Sequence, residues 1–188
     1  MYPDWSPDGR YLAFVSDENG SFQPFVLDVE RRTRRRLADV DLSVHGSNLI
    51  NSRIFARWSP SSENPKIAFT VSDESGYALW ISGIDGDDPH KVLDDVYDFD
   101  WYLDSRRGVV TRQRPDFSTD LVAVTLDTHE TRTLATIPHT ELEVAPDGSA
   151  VSFASGPGHL SMNLFVLALE APSGANGLPR AAGDPKPV

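Results

Sequence analysis

Trp5-Ser6-Pro7-Asp8-Gly9 opens the chain and returns three more times, each copy more worn than the last. Trp58-Ser59-Pro60-Ser61 repeats its first three letters, Trp101-Tyr102-Leu103-Asp104 keeps the aromatic anchor and the acid, and Val144-Ala145-Pro146-Asp147-Gly148 keeps the turn while replacing Trp by a β-branched residue. The anchors at 5, 58, 101 and 144 lie 53, 43 and 43 residues apart. A period in the forties is the signature of a repeat architecture in which each unit is one small sheet. Asp and Gly supply the geometry of a tight turn, because Asp bonds its own backbone and Gly tolerates positive φ. Each anchor is therefore read as the end of a strand that turns sharply into the next.

Outward from each anchor the pattern continues. A first apolar run follows the turn (Tyr11 to Val15, Lys66 to Thr70, Gly108 to Thr111, Ala150 to Ala154), and a second follows a polar loop (Phe25 to Val29, Leu79 to Ser82, Leu121 to Leu126, Leu164 to Leu169). Both are strand-length and rich in β-branched and aromatic residues, bounded by Asp, Gly, Asn and Pro. A weaker third run closes the first three units at Arg36-Leu37-Ala38, Lys91-Val92-Leu93 and Arg132-Thr133-Leu134. With the anchor strand, each unit is a four-stranded antiparallel meander, which is a β-propeller blade. The fold class expected is all-β, about four blades over residues 1–40, 41–95, 96–137 and 138–170, forming an incomplete ring. Residues 171–188, rich in Pro, Gly and Ala, read as an irregular tail, so that blade four lacks an outer strand.

The run Pro3, Trp5-Ser6-Pro7-Asp8-Gly9-Arg10, Ala13-Phe14, Ser16-Asp17 and Gly20, then an apolar strand, an Asp and a basic-Leu strand, resembles the repeat of TolB-type propellers. The same repeat occurs in propeller domains of prolyl-oligopeptidase-like peptidases and in some propeller lyases. The resemblance covers residues 1 to about 170 and is strongest in the first two units. It implies a periplasmic or otherwise extracytoplasmic protein, and a membrane-associated complex as its setting. A blade motif specifies a fold and says little about function.

Composition narrows the function classes. The net charge of −11 opposes general nucleic-acid affinity, since a phosphate-tracking surface has to be basic. The absence of cysteine removes disulfides and thiolate metal sites. No apolar run reaches the roughly 18 to 20 residues that a membrane helix requires. There is no Gly-x-Ser-x-Gly nucleophile elbow, and no phosphate-binding Gly-x-x-x-x-Gly-Lys-Ser/Thr loop. His45, His90, His129, His139 and His159 fall in different loops without paired metal spacing, so no cofactor and no metal is expected. The expectation is a non-catalytic scaffold for protein–protein interaction. The alternative is the propeller domain of an enzyme, either a metal-dependent lyase or the gating propeller of a peptidase.

Three places are candidate partner-binding sites. Arg31, Arg32, Arg34, Arg35 and Arg36 form a basic run in the third-to-fourth strand hairpin of blade one, readable as a solvated edge that blocks aggregation or as a dock for an acidic partner. His45 and Asn48 lie in a ten-residue insertion between blades one and two, on a rim where loops carry function. Immediately before the anchors stand Asp4, Arg57, Asp100 and Glu143, which strand alternation sends to the face opposite the anchors. They either line a ligand site or satisfy polar contacts between blades. Either the two ends meet in an unorthodox four-blade ring or the blades are an arc of a larger propeller. An arc exposes two apolar faces, and at ~500 Å² each and ~25 cal/mol/Å² this leaves on the order of 25 kcal/mol of burial unused, as an upper bound. Such patches mark an interface. Further blades, a second copy or a protein partner is therefore expected to complete the ring.

Overall fold

The computed structural model describes residues 3–18, 20, 22–38, 55–73, 76–116, 118–137, 141–155, 162–174 and 177–188. Among these residues there are strands and turns and no helix. The chain divides into two compact units, Met1–Asp95 and Val96–Val188. Each unit holds two antiparallel sheets.

In the first unit, blade one is built from β1 (Asp4–Trp5), β2 (Tyr11–Ser16), β3 (Gln23–Asp28) and β4 (Thr33–Arg36), in that spatial order. Blade two repeats the order with β5 (Ala56–Trp58), β6 (Lys66–Asp73), β7 (Gly76–Gly83) and β8 (His90–Asp94). Sequential strands that pair with their neighbours need only short hairpins, which is why Asp, Asn and Gly recur at the links.

The anchor and the residue before it face opposite sides of the sheet. In blade one the acid side carries Asp4, Ala13 and Val26, which stand opposite one another across the ladder. That side packs on the anchor side of blade two: Ala13, Val15, Val26 and Leu37 form one core with Ala56, Trp58, Ile67 and Phe69. Phe69 is fully buried there, a contribution of roughly 2–3 kcal/mol relative to an exposed ring.

The second unit repeats this. Blade three comprises β9 (Val96–Trp101), β10 (Arg107–Gln113), β11 (Thr119–Thr125) and β12 (Thr131–Ile137). Blade four comprises β13 (Leu142–Val144), β14 (Ala150–Ser155), β15 (Asn163–Glu170) and two short pieces, β16 (Arg180–Ala181) and β17 (Lys186–Pro187). The acid side of blade three (Val109, Leu121, Ala123) meets the anchor side of blade four (Val144, Val151, Phe153, Leu167) in a single core.

Residues 171–188 correct the expectation of an irregular tail. Arg180–Ala181 and Lys186–Pro187 pair with β15, Leu169 with Ala181 and Val166 with Lys186, so blade four does have an outer strand in two short pieces. Val188 N–H donates to Leu164 O at 3.0 Å, and buried Leu178 joins the core. An edge strand presents only one side to its sheet, so Pro185 and Pro187 fit there without removing a needed donor. Gly183, at φ +129°, takes the bend between the two pieces.

Candidate functional site

The repeated turn is the local frame on which everything else is set. In blade one, Ser6 N–H donates to Tyr11 O at 2.9 Å, Gly9 N–H donates to Ser6 O at 2.9 Å, and Gly9 sits at φ +71°. Asp8 Oδ1 accepts from Ser6 Oγ at 2.6 Å and from Arg10 N–H at 3.1 Å. The bond from Ser6 first, then that from Arg10, holds the Asp8 carboxyl below the ordinary Asp range. Asp147 is held low in the same way by Ser149. In blade three, where the letters are most worn, Asp104 accepts from the N–H groups of both Arg106 and Arg107, and Ser105 takes the glycine's place at φ +56°. The turn survives the loss of its sequence.

This frame fixes which way each anchor points its amide. The residue after the anchor bonds back to its own second strand in all four blades: Ser6 to Tyr11 and Ser59 to Lys66 at 2.9 Å, Tyr102 to Arg107 at 2.8 Å and Ala145 to Ala150 at 2.9 Å. Because ladder bonding alternates along an antiparallel strand, the anchor's own N–H points away from its sheet, at an open edge.

In blades two and four the acid of the preceding blade meets that amide. Asp4 Oδ2 accepts from Trp58 N–H at 2.8 Å, while Trp58 Nε1–H donates to Asp4 O at 3.0 Å. In the second unit Asp100 Oδ2 accepts from Val144 N–H at 2.7 Å, and Oδ1 from Trp101 N–H at 2.9 Å. Asp98, buried and two residues earlier on the same side of β9, does likewise: Oδ2 accepts from Leu142 N–H at 3.1 Å and Oδ1 from Phe99 N–H at 3.0 Å. The inner strands are thus laced by carboxylates where backbone carbonyls would serve in a continuous sheet. Such charge-assisted bonds exceed neutral ones in strength.

Asp4 and Asp100 both make polar contacts between blades. Arg57 lies with its guanidinium carbon 5.3 Å from the centre of the Phe55 ring. Glu143 is exposed, and among the described residues its carboxylate has no hydrogen-bond or ion-pair partner. Sequence reasoning missed Asp98. Its signal was present: an acid in the otherwise β-prone Val96-Tyr97-Asp98-Phe99 stretch, in step with Asp100.

The arginine run is divided by strand alternation. Arg35 turns to the acid side of blade one and clamps blade two, its Nε–H donating to Ile84 O at 2.8 Å and its Nη2 lying 3.0 Å from Asp85 Oδ1. Arg34 and Arg36 take the opposite side, where Arg34 pairs with Glu18 and lies over the Phe25 ring, and Arg36 reaches Gln23 Oε1 at 3.4 Å. Arg31 pairs with Asp28, and Arg32 holds the hairpin turn at φ +55°. His45 and Asn48 lie outside the described residues.

Two blade sides differ from the rest. In blades two and three the strand residues on both sides are buried, Ala68 and Ile81 opposite Ile67 and Phe69, Val110 and Val124 opposite Val109 and Ala123. The anchor side of blade one is open. Trp5 is 55% exposed where Trp58, Trp101 and Val144 are 4–6%, and Leu12, Phe14 and Leu27 beside it are half-buried. The acid side of blade four is open as well: Glu143, Ser152 and Val166 face one another across the ladder, with Leu164 50% exposed beside them. Among the described residues no three His, Asp or Glu side chains gather as a metal site, and no helix is long and apolar enough to cross a membrane.

No protein-family model matches the chain. Among curated proteins it is 34% identical, over 97 residues, to an uncharacterized peptidase, YuxL, of Bacillus subtilis (strain 168); the match spans 51% of this chain and 12% of that protein. Among solved structures it is similar to TolB from Acinetobacter baumannii, with a TM-score of 0.70 at 14% identity over 96% of this chain and 42% of that one. It is also similar to an oligogalacturonate lyase in complex with manganese, with a TM-score of 0.64 at 14% identity over 88% of this chain and 49% of that one. The chain therefore spans about half or less of each of these proteins. Four antiparallel four-stranded blades, each led by its anchor and joined in pairs through an acid, have the fold of a TolB-type β-propeller and make up part of one.

Proposed function

We propose that the chain is a non-catalytic propeller scaffold whose open blade sides hold a protein partner or further blades in a larger, extracytoplasmic assembly. One observation carries this reading: the strand residues of blades two and three are buried on both sides, whereas the anchor side of blade one and the acid side of blade four are open and leave Trp5 and Leu164 about half exposed. Exposed patches of that kind on a soluble protein mark interaction surfaces. The extracytoplasmic setting rests on the resemblance of the repeat to TolB-type propellers.

Native mass spectrometry of material purified gently from its source tests the reading. A complex of fixed stoichiometry is expected; a lone 20.7 kDa species overturns it. A second reading, the propeller domain of an enzyme, is favoured by the likeness to the YuxL peptidase and to the manganese-bound lyase. Its two forms separate readily. Stoichiometric manganese in purified protein supports a lyase, and a hydrolase segment encoded in the same gene supports a peptidase.

A further inference from the structure

We propose that a second copy of this chain covers the anchor side of blade one, seating the acid side of its blade four there so that Glu143 accepts the Trp5 N–H. The proposal deepens the scaffold reading and rests on it.

The two joints inside the chain state a rule. An acid one residue ahead of the anchor accepts the anchor amide of the following blade, and the apolar residues beside that acid pack on the side that bears the following anchor. Blade four repeats the acid half of the joint. Glu143 precedes Val144 as Asp100 precedes Trp101, and it shares its side with Ser152, Leu164, Val166 and Ala168.

Blade one repeats the anchor half. The Trp5 amide points off its sheet, and among the described residues nothing accepts from it. Its ring stands open beside Leu12, Phe14 and Leu27. One chain thus carries both complementary halves of a contact that it makes twice internally, which is the condition for a head-to-tail joint between copies. Glu143 is one methylene longer than Asp, a reach that an extra rotatable bond accommodates.

Sedimentation velocity of the purified 188-residue chain across a wide concentration range tests the proposal. The native chain is expected to associate into species of two or more copies. Trp5→Ala and Glu143→Lys should each weaken association at least about tenfold, with an unchanged circular dichroism spectrum, whereas Glu143→Asp should retain it. Both positions are exposed, so folding is not at stake, and Leu164→Glu provides a third variant on the same side.

The decisive measurement mixes the Trp5→Ala and Glu143→Lys chains. Each keeps the half that the other has lost, so the mixture should regain a two-copy species. A native chain that stays single at every concentration, association indifferent to these variants, or a mixture that regains nothing overturns the proposal. If the native chain stays single while source material yields a fixed complex with another protein, the copy-to-copy joint falls and the scaffold reading stands. A lone chain in both experiments overturns the two together.

Discussion

Gly9 and Gly148 hold equivalent positions at φ +71° and +70°, and they separate two costs that are usually confounded. A Cβ at Gly9 would meet nothing within 4 Å, whereas one at Gly148 would lie 2.4 Å from Leu103 Cδ2 and 2.7 Å from Tyr102 Cζ. Gly9→Ala is expected to lower the unfolding free energy by about 1–2 kcal/mol through the left-handed conformation alone. Gly148→Ala should cost measurably more in the same urea titration. The same turns predict a pH dependence. Asp8 and Asp147 are held below their ordinary range by hydrogen bonds to the charged form, so the stability they contribute is present above about pH 4 and is lost as the pH falls through the depressed folded value. Asp8→Asn should therefore destabilise at pH 7, and the gap to the native chain should close under strong acid, as followed by thermal melts across that range. The Pro-Asp-Gly turns were legible because Asp and Gly answer a local need. Ser105 was not, because a serine at positive φ is sustained by Asp104 and its two bonded amides, a compensation that no single letter announces.

At the scale of elements, the acids of the inner strands carry the joints. Asp98→Ala would leave the Leu142 and Phe99 amides without their buried acceptor, at a cost of about 3 kcal/mol or more, while Asp4→Ala releases one half-buried amide for about 1–2 kcal/mol. Chemical denaturation of both variants checks the order; equal losses would mean that burial does not set the strength of the lacing. The sequence placed Asp4, Asp100 and Glu143 at one repeat position, yet left open whether they served a ligand or a neighbouring blade. The choice depends on which amide lies 44 or 54 residues away, and that is a property of packed sheets. The arginine run divides in a related way. Read along the chain it is one block of charge, but strand alternation gives Arg35 to the interblade clamp and Arg34 and Arg36 to the other side. The strands at the C-terminal end were illegible for a different reason: β16 and β17 pair through backbone, and two-residue strands carry no side-chain period to detect.

At the scale of the molecule, the blade repeat was readable at once, since the anchors, the turns and the alternating runs all specify the same sheet. Which sides stay open was readable only as a general consequence of an arc. The structure gives it residues: Phe14 and Phe153 both stand nine positions past their anchors, yet Phe153 is 2% exposed in the core of its unit and Phe14 is half-buried on an open side. The carboxylate lacing has one more consequence. In both pairs the carboxylate bonds run in one sense, from the anchor amide of the later blade to the acid of the earlier, so each pair has a polarity, and a blade inserted back to front would set acid against acid and amide against amide. Duplication of a whole repeat lengthens such a protein without rewriting any existing contact, whereas inversion has no register in which to lock.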